Sequence, residues 1–120
     1  MPDEQVLDSQ SIASLRALSP DDDGTFVREL VEIYLQDTPQ RLTDLEQALA
    51  KEDAYSVTRA AHTIKGSSSN FGAIRLAKLA HQIELQGKSG DLSSTAAAIA
   101  VLNAEYDLVA VALAKVAKGA

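Results

Sequence analysis

Ile99, Leu102, Tyr106, Val109, Leu113 and Val116 recur at spacings of 3, 4, 3, 4 and 3. That rhythm follows one face of an α-helix and does not fit the strict alternation of a half-buried strand. A helix with such a seam has to bury it against other helices. A second stripe, from about Thr25 to Ala50, holds Val27, Leu30, Val31, Tyr34, Leu35, Thr38, Leu42, Leu45 and Leu49 at three- or four-residue spacing. It continues across Thr38-Pro39, which predicts one kinked helix rather than two. Composition agrees. The chain has 20 Ala and 15 Leu, and its only aromatics are Phe26, Tyr34, Tyr55, Phe71 and Tyr106. A sheet would favour β-branched and aromatic residues instead.

The remaining elements follow from caps and breakers. Residues 1–7 read as a tail, and Asp8 or Ser9 can cap a short helix with Ile12, Leu15 and Leu18 on one side, ended by Ser19-Pro20. Asp21-Asp22-Asp23-Gly24 forms a turn ahead of the long helix. A third helix starts at Asp53 as cap and extends towards Asn70. A fourth runs from about Ala73 to Gln86 with Leu76, Leu79, Ala80 and Ile83 as its core face, and Gly87-Lys88-Ser89-Gly90 breaks it. The last begins after Ser93 or Ser94. The expected fold is all-α, an antiparallel four-helix bundle with a short extra N-terminal helix, forming one domain over 8–118.

Length and charge remove several functional classes. At 120 residues there is one core and no room for an additional nucleotide-binding catalytic domain. No uninterrupted run of 18 apolar residues occurs, which predicts no membrane span. The acidic start Met1-Pro2-Asp3-Glu4-Gln5 does not resemble a secretory signal. With no cysteine there is no disulfide, thiolate metal site or thiol nucleophile. The net charge of −6 argues against a nucleic-acid partner. A cytoplasmic monomer is the default expectation.

The third helix carries the chemistry. At about 100° per residue, Val57, Ala61, Ile64, Ser68 and Phe71 gather on a side centred about 140° from His62. Tyr55, Thr58, Arg59, His62, Lys65, Gly66 and Ser69 share the opposite side, so His62 is expected to face outward. Lys65, one turn on, could hold an anion placed on the imidazole. Gly66 lies about 40° round from His62 and is costly in a helix interior. Bare backbone beside an exposed nucleophile suits the approach of something large. Segment 51–90 holds six basic and three acidic residues, a net +3, whereas the remainder carries five against fourteen, a net −9. A basic patch on an acidic protein suits an acidic site or a phosphoryl group.

The run Ala61-His62-Thr63-Ile64-Lys65-Gly66-Ser67-Ser68, then Gly72-Ala73, Leu76, Leu79 and Ile83-Glu84, resembles the histidine-containing phosphotransfer (HPt) family. Val6-Leu7-Asp8 and the stretch Leu35 to Leu42 extend the likeness over most of residues 6–86. The resemblance implies that His62 accepts a phosphoryl group on Nε2 from a receiver-domain phospho-aspartate, or a kinase, and passes it to another receiver. It further implies that Lys65 stabilises the phosphoryl group, Gly66 leaves room for docking, and Glu84 orients the imidazole. The partners implied are response-regulator receiver domains and a sensor histidine kinase, with Mg²⁺ supplied by the receiver. The chain itself would hold no metal or cofactor and act as a phosphocarrier rather than an enzyme. Tyr55, Thr58, Arg59, Ser69 and Arg75 complete the expected docking face.

Other readings fit less well. A histidine-kinase dimerisation domain typically has an acidic residue directly after the histidine and a proline soon after, and His62-Thr63-Ile64-Lys65-Gly66 has neither. The phosphoryl-accepting domain of chemotaxis-type kinases has a very similar run and stays open. A non-catalytic receiver-docking module would not need both His62 and Lys65. A metal site built on His62, His81 and Glu84 lacks a Glu-x-x-His pair, and His81 reads as a solvated surface residue.

Overall fold

A computed structural model describes residues 6–119. The helices are α1 (Ser9–Ala17), α2 (Thr25–Ala50), α3 (Ala54–Ser69), α4 (Ile74–Ser89) and α5 (Thr95–Gly119). Each of α2 to α5 packs on its neighbour in the chain, and α5 closes back on α2, giving a four-helix bundle with α1 set against α2. Asp8 caps α1 by accepting from Gln10 N, and Asp53 caps α3 by accepting from Ser56 N. At the start of α2 the N-cap is Gly24, and the Asp22 carboxylate accepts from Gly24 N and Phe26 N. The helix α2 is continuous through Pro39.

The seam positions of both stripes line the core. Val27, Val31, Tyr34, Leu42, Leu45, Ile99, Leu102, Tyr106, Val109 and Leu113 are buried, together with Leu76, Ala80 and Ile83 of α4. Tyr34 sits at the centre, edge-on to Phe71 with centroids 5.2 Å apart. Its hydroxyl shares a 2.8 Å hydrogen bond with Ser68, and burial pushes its pKa up to about 12. That pair ties α3 to α2 with a polar contact inside an apolar layer.

Three expectations need correction. Val6 and Leu7 belong to the core rather than to a tail, and Asp8 N donates to Gly72 O at 2.9 Å. Gly72 adopts φ +69, and a Cβ there would lie 2.6 Å from Asp8 Cβ, so only glycine allows this docking. Residues 1–5 lie outside the described part. Leu18, expected to line α1, falls beyond its end and is exposed. The helix α4 runs on to Ser89, with Gly90 as its left-handed C-cap, so Gly87 is inside the helix. Separately, α5 is long and apolar enough to cross a membrane by length and composition alone. Scattered small residues give that composition without forming an uninterrupted run. Here its seam is buried against α2 and α4, while Val101, Leu108 and Val111 face outward.

Candidate functional site

The site forms where α3 and α4 run antiparallel, joined by a short turn. The caps set the register: Asp53 begins α3, and Ala73 begins α4 after the Gly72 turn. The buried stripe Val57, Ala61, Ile64 and Ser68 rolls His62 to the outside, where its side chain is 65% exposed. Across the groove, Glu84 follows Leu76, Ala80 and Ile83 on the inner side of α4, and its side chain is 4% exposed. The two meet with His62 Nδ1 2.9 Å from Glu84 Oε2.

A buried carboxylate is costly unless paired. Glu84 is paired four ways. Lys65 Nζ lies 2.7 Å from Oε1, and His62 Nδ1 is at Oε2. His81 Nδ1 approaches Oε1 at 3.5 Å, and Lys88 Nζ approaches Oε2 at 3.4 Å. The Lys65 ammonium, with the His62 bond behind it, outweighs burial and lowers the Glu84 pKa from 4.5 to about 2. Glu84 is therefore ionised at neutral pH and can only accept. It follows that His62 Nδ1 carries the hydrogen, so a ring with a single N–H keeps its lone pair on Nε2.

Gly66, one turn beyond His62, is exposed, and a Cβ built on it would meet nothing within 4 Å. The outer surface beside the imidazole is open backbone. Tyr55 is 70% exposed, and Arg59 stacks over it at 5.8 Å while donating to its hydroxyl. Ser69 is exposed and donates to Lys65 O. These three share the outer side of α3 with His62.

Two expected docking residues lie elsewhere. Thr58 is half-buried, donates to Ala54 O and faces Gly87 of α4, because the neighbouring helix covers that edge of the wheel. Arg75 turns to the opposite seam, where Nε lies 3.4 Å from Glu105 Oε2 of α5. His81, expected as a solvated surface residue, and Lys88, expected in a helix-breaking turn, both approach Glu84. Both fall on the Glu84 stripe at i−3 and i+4, a spacing that becomes informative once Glu84 is taken as buried. Among the described residues no cluster of His, Cys, Asp and Glu could hold a metal ion.

The chain and its fold are similar to those of known proteins. A family model described as the Hpt domain matches residues 29–112. Histidine-containing phosphotransfer protein 1 of Arabidopsis thaliana is 36% identical over 75 residues, covering 61% of this chain and 48% of that protein. Multistep phosphorelay regulator 1 of Schizosaccharomyces pombe is 27% identical over 85 residues, covering 71% of this chain and 29% of the relative. A pseudo histidine-containing phosphotransfer protein 2 of Oryza sativa is 33% identical over 76 residues, covering 62% of this chain and 50% of that protein. The chain thus spans half or less of the length of these relatives. The crystal structure of histidine-containing phosphotransfer protein B from Pseudomonas aeruginosa superposes with a TM-score of 0.87, at 29% identity and 96% coverage of both chains. With the family model covering most of the bundle and the structural match almost all of it, this chain belongs to the Hpt domain family.

Proposed function

We propose that the protein is a phosphorelay intermediate in which His62 accepts a phosphoryl group from a receiver-domain phospho-aspartate, or from a histidine kinase, and passes it to another receiver. The observation that carries this reading is the His62–Glu84 pair: a buried, ionised carboxylate holds Nδ1–H at 2.9 Å and leaves an exposed Nε2. In the forward step the Nε2 lone pair attacks phosphorus, the Nε2–P bond forms, and the P–O bond to the aspartate breaks. The aspartate leaves as a carboxylate. The ring keeps its Nδ1 hydrogen, and the positive charge developing on it faces Glu84. No separate base is needed at Nε2, because a ring whose hydrogen sits on Nδ1 already presents a lone pair there. Phosphoryl transfer needs alignment and charge neutralisation above all. In this step Lys65, paired with Glu84 at 2.7 Å, turns to the incoming phosphoryl oxygens, with Lys88 and His81 still beside the carboxylate.

In this reading the chain is a phosphocarrier, monomeric and cytoplasmic, and the receiver brings the Mg²⁺ and the acidic cluster that complete the reaction. The receiver meets the open backbone at Gly66 with Tyr55, Arg59 and Ser69 around it. Retention of an aimed imidazole and of Lys65 favours a carrier over a docking-only module. The test is intact mass after incubation with a phosphorylated receiver domain and Mg²⁺, comparing wild type with His62→Gln. One acid-labile phosphoryl group on wild type and none on the variant is the expected result. An unmodified wild type that still binds the receiver would replace the carrier with a docking module.

A further inference from the structure

Gly87 lies inside α4, three residues past Glu84, and faces Thr58, four residues before His62 on α3. A Cβ built on Gly87 would overlap Thr58 Oγ1 and stand 2.9 Å from Thr58 N and 3.0 Å from Ala54 O. Two of these neighbours are main-chain atoms of α3 and cannot rotate away. The third is pinned, since Thr58 Oγ1 donates to Ala54 O at 2.8 Å. Gly66 has the opposite surroundings, with nothing near its missing side chain. One glycine clears the outer surface of the site, and the other brings the two helices together beneath it.

We infer that Gly87 is a positioning residue: its lack of a side chain sets the α3–α4 separation at which Glu84 reaches His62 Nδ1. The inference rests on the proposed role of His62 and adds the element that holds its geometry. An alanine there needs the helices to part by about 0.5 Å to restore ordinary contact with the α3 main chain. The knuckle lies one turn from the 2.9 Å His62–Glu84 bond on both helices, so the displacement falls directly on that bond. When the bond lengthens, the neutral ring loses its reason to keep the hydrogen on Nδ1. A ring with its hydrogen on Nε2 has no lone pair facing the receiver.

The experiment compares wild type, Gly87→Ala and the double variant Gly87→Ala/Thr58→Ala. ¹⁵N NMR of the His62 ring at alkaline pH reads the tautomer. Phosphoryl acceptance from a phosphorylated receiver domain reads the consequence. Gly87→Ala is expected to keep its helical circular dichroism, to lose Nδ1–H population and to accept the phosphoryl group on the order of 10-fold more slowly. The double variant, with the hydroxyl overlap removed, is expected to recover part of both. If Gly87→Ala does not fold, the double variant carries the same test. A wild-type tautomer in the folded variants would overturn the inference. A wild type that holds Nδ1–H but never accepts phosphate would instead overturn the proposed function, with the tautomer comparison still deciding the role of Gly87.

Discussion

Gly66→Gln should make the protein more stable and less able to exchange phosphate. Gly66 lies within α3, and a Cβ there meets no atom within 4 Å, so a side chain can be added without displacing anything. The gain is the difference in helix propensity, about 0.5–1 kcal/mol in favour of glutamine. For a domain of this size that raises Tm by roughly 2–4 °C. The same side chain stands one turn from His62 on the face a receiver has to cover, so transfer should slow. Urea denaturation followed by circular dichroism measures the first effect, and the rate of phosphoryl loss from a phosphorylated receiver measures the second. A destabilisation of more than about 1 kcal/mol would show that Gly66 is packed. An unchanged transfer rate would show that the partner does not approach over this backbone.

Glu84→Gln should remove an acid-sensitive component of stability. The Glu84 pKa is lowered from 4.5 to about 2 in the folded state. Its contribution is therefore fully present above about pH 4.5 and is lost as pH falls towards about 2. With several of its cationic partners exposed, that contribution is on the order of 2 kcal/mol. The urea midpoint of the variant should vary less than that of wild type across this window. Tyr34→Phe deletes the buried hydroxyl bonded to Ser68 and should cost about 1–2 kcal/mol in denaturation experiments. It should leave phosphoryl transfer unchanged, since Tyr34 lies in the core and away from the imidazole. Arg59→Glu reverses an exposed charge on the His62 face and should slow transfer several-fold at low salt, with the difference shrinking as salt rises.

The helices were legible because each begins and ends on local chemistry. Asp8, Asp53 and the Gly72 turn act within a few residues, and the stripes on α2 and α5 repeat often enough to fix their faces. The outward aim of His62 was legible for the same reason, since Val57, Ala61, Ile64 and Ser68 leave only one side to solvent. What stayed hidden depends on the neighbouring helix. Gly87 beside Lys88-Ser89-Gly90 reads as a helix breaker until Thr58 is seen against it. Thr58 shares the outer side of the wheel and yet is covered by α4. His81 and Lys88 look solvated in isolation and gain meaning only from the buried carboxylate between them. Val6 and Leu7 become core residues through a backbone bond from Asp8 to Gly72, a contact some sixty residues distant in sequence.

The central claim is that the Glu84 bond leaves Nε2 of His62 as the reacting atom. The most direct test phosphorylates the protein from a receiver domain and locates the phosphorus on the ring by ³¹P and ¹⁵N NMR under alkaline conditions. The account predicts a single phosphorylated histidine, His62, with phosphorus bonded to Nε2 and hydrogen kept on Nδ1. Phosphorus on Nδ1, or on His81, would contradict it.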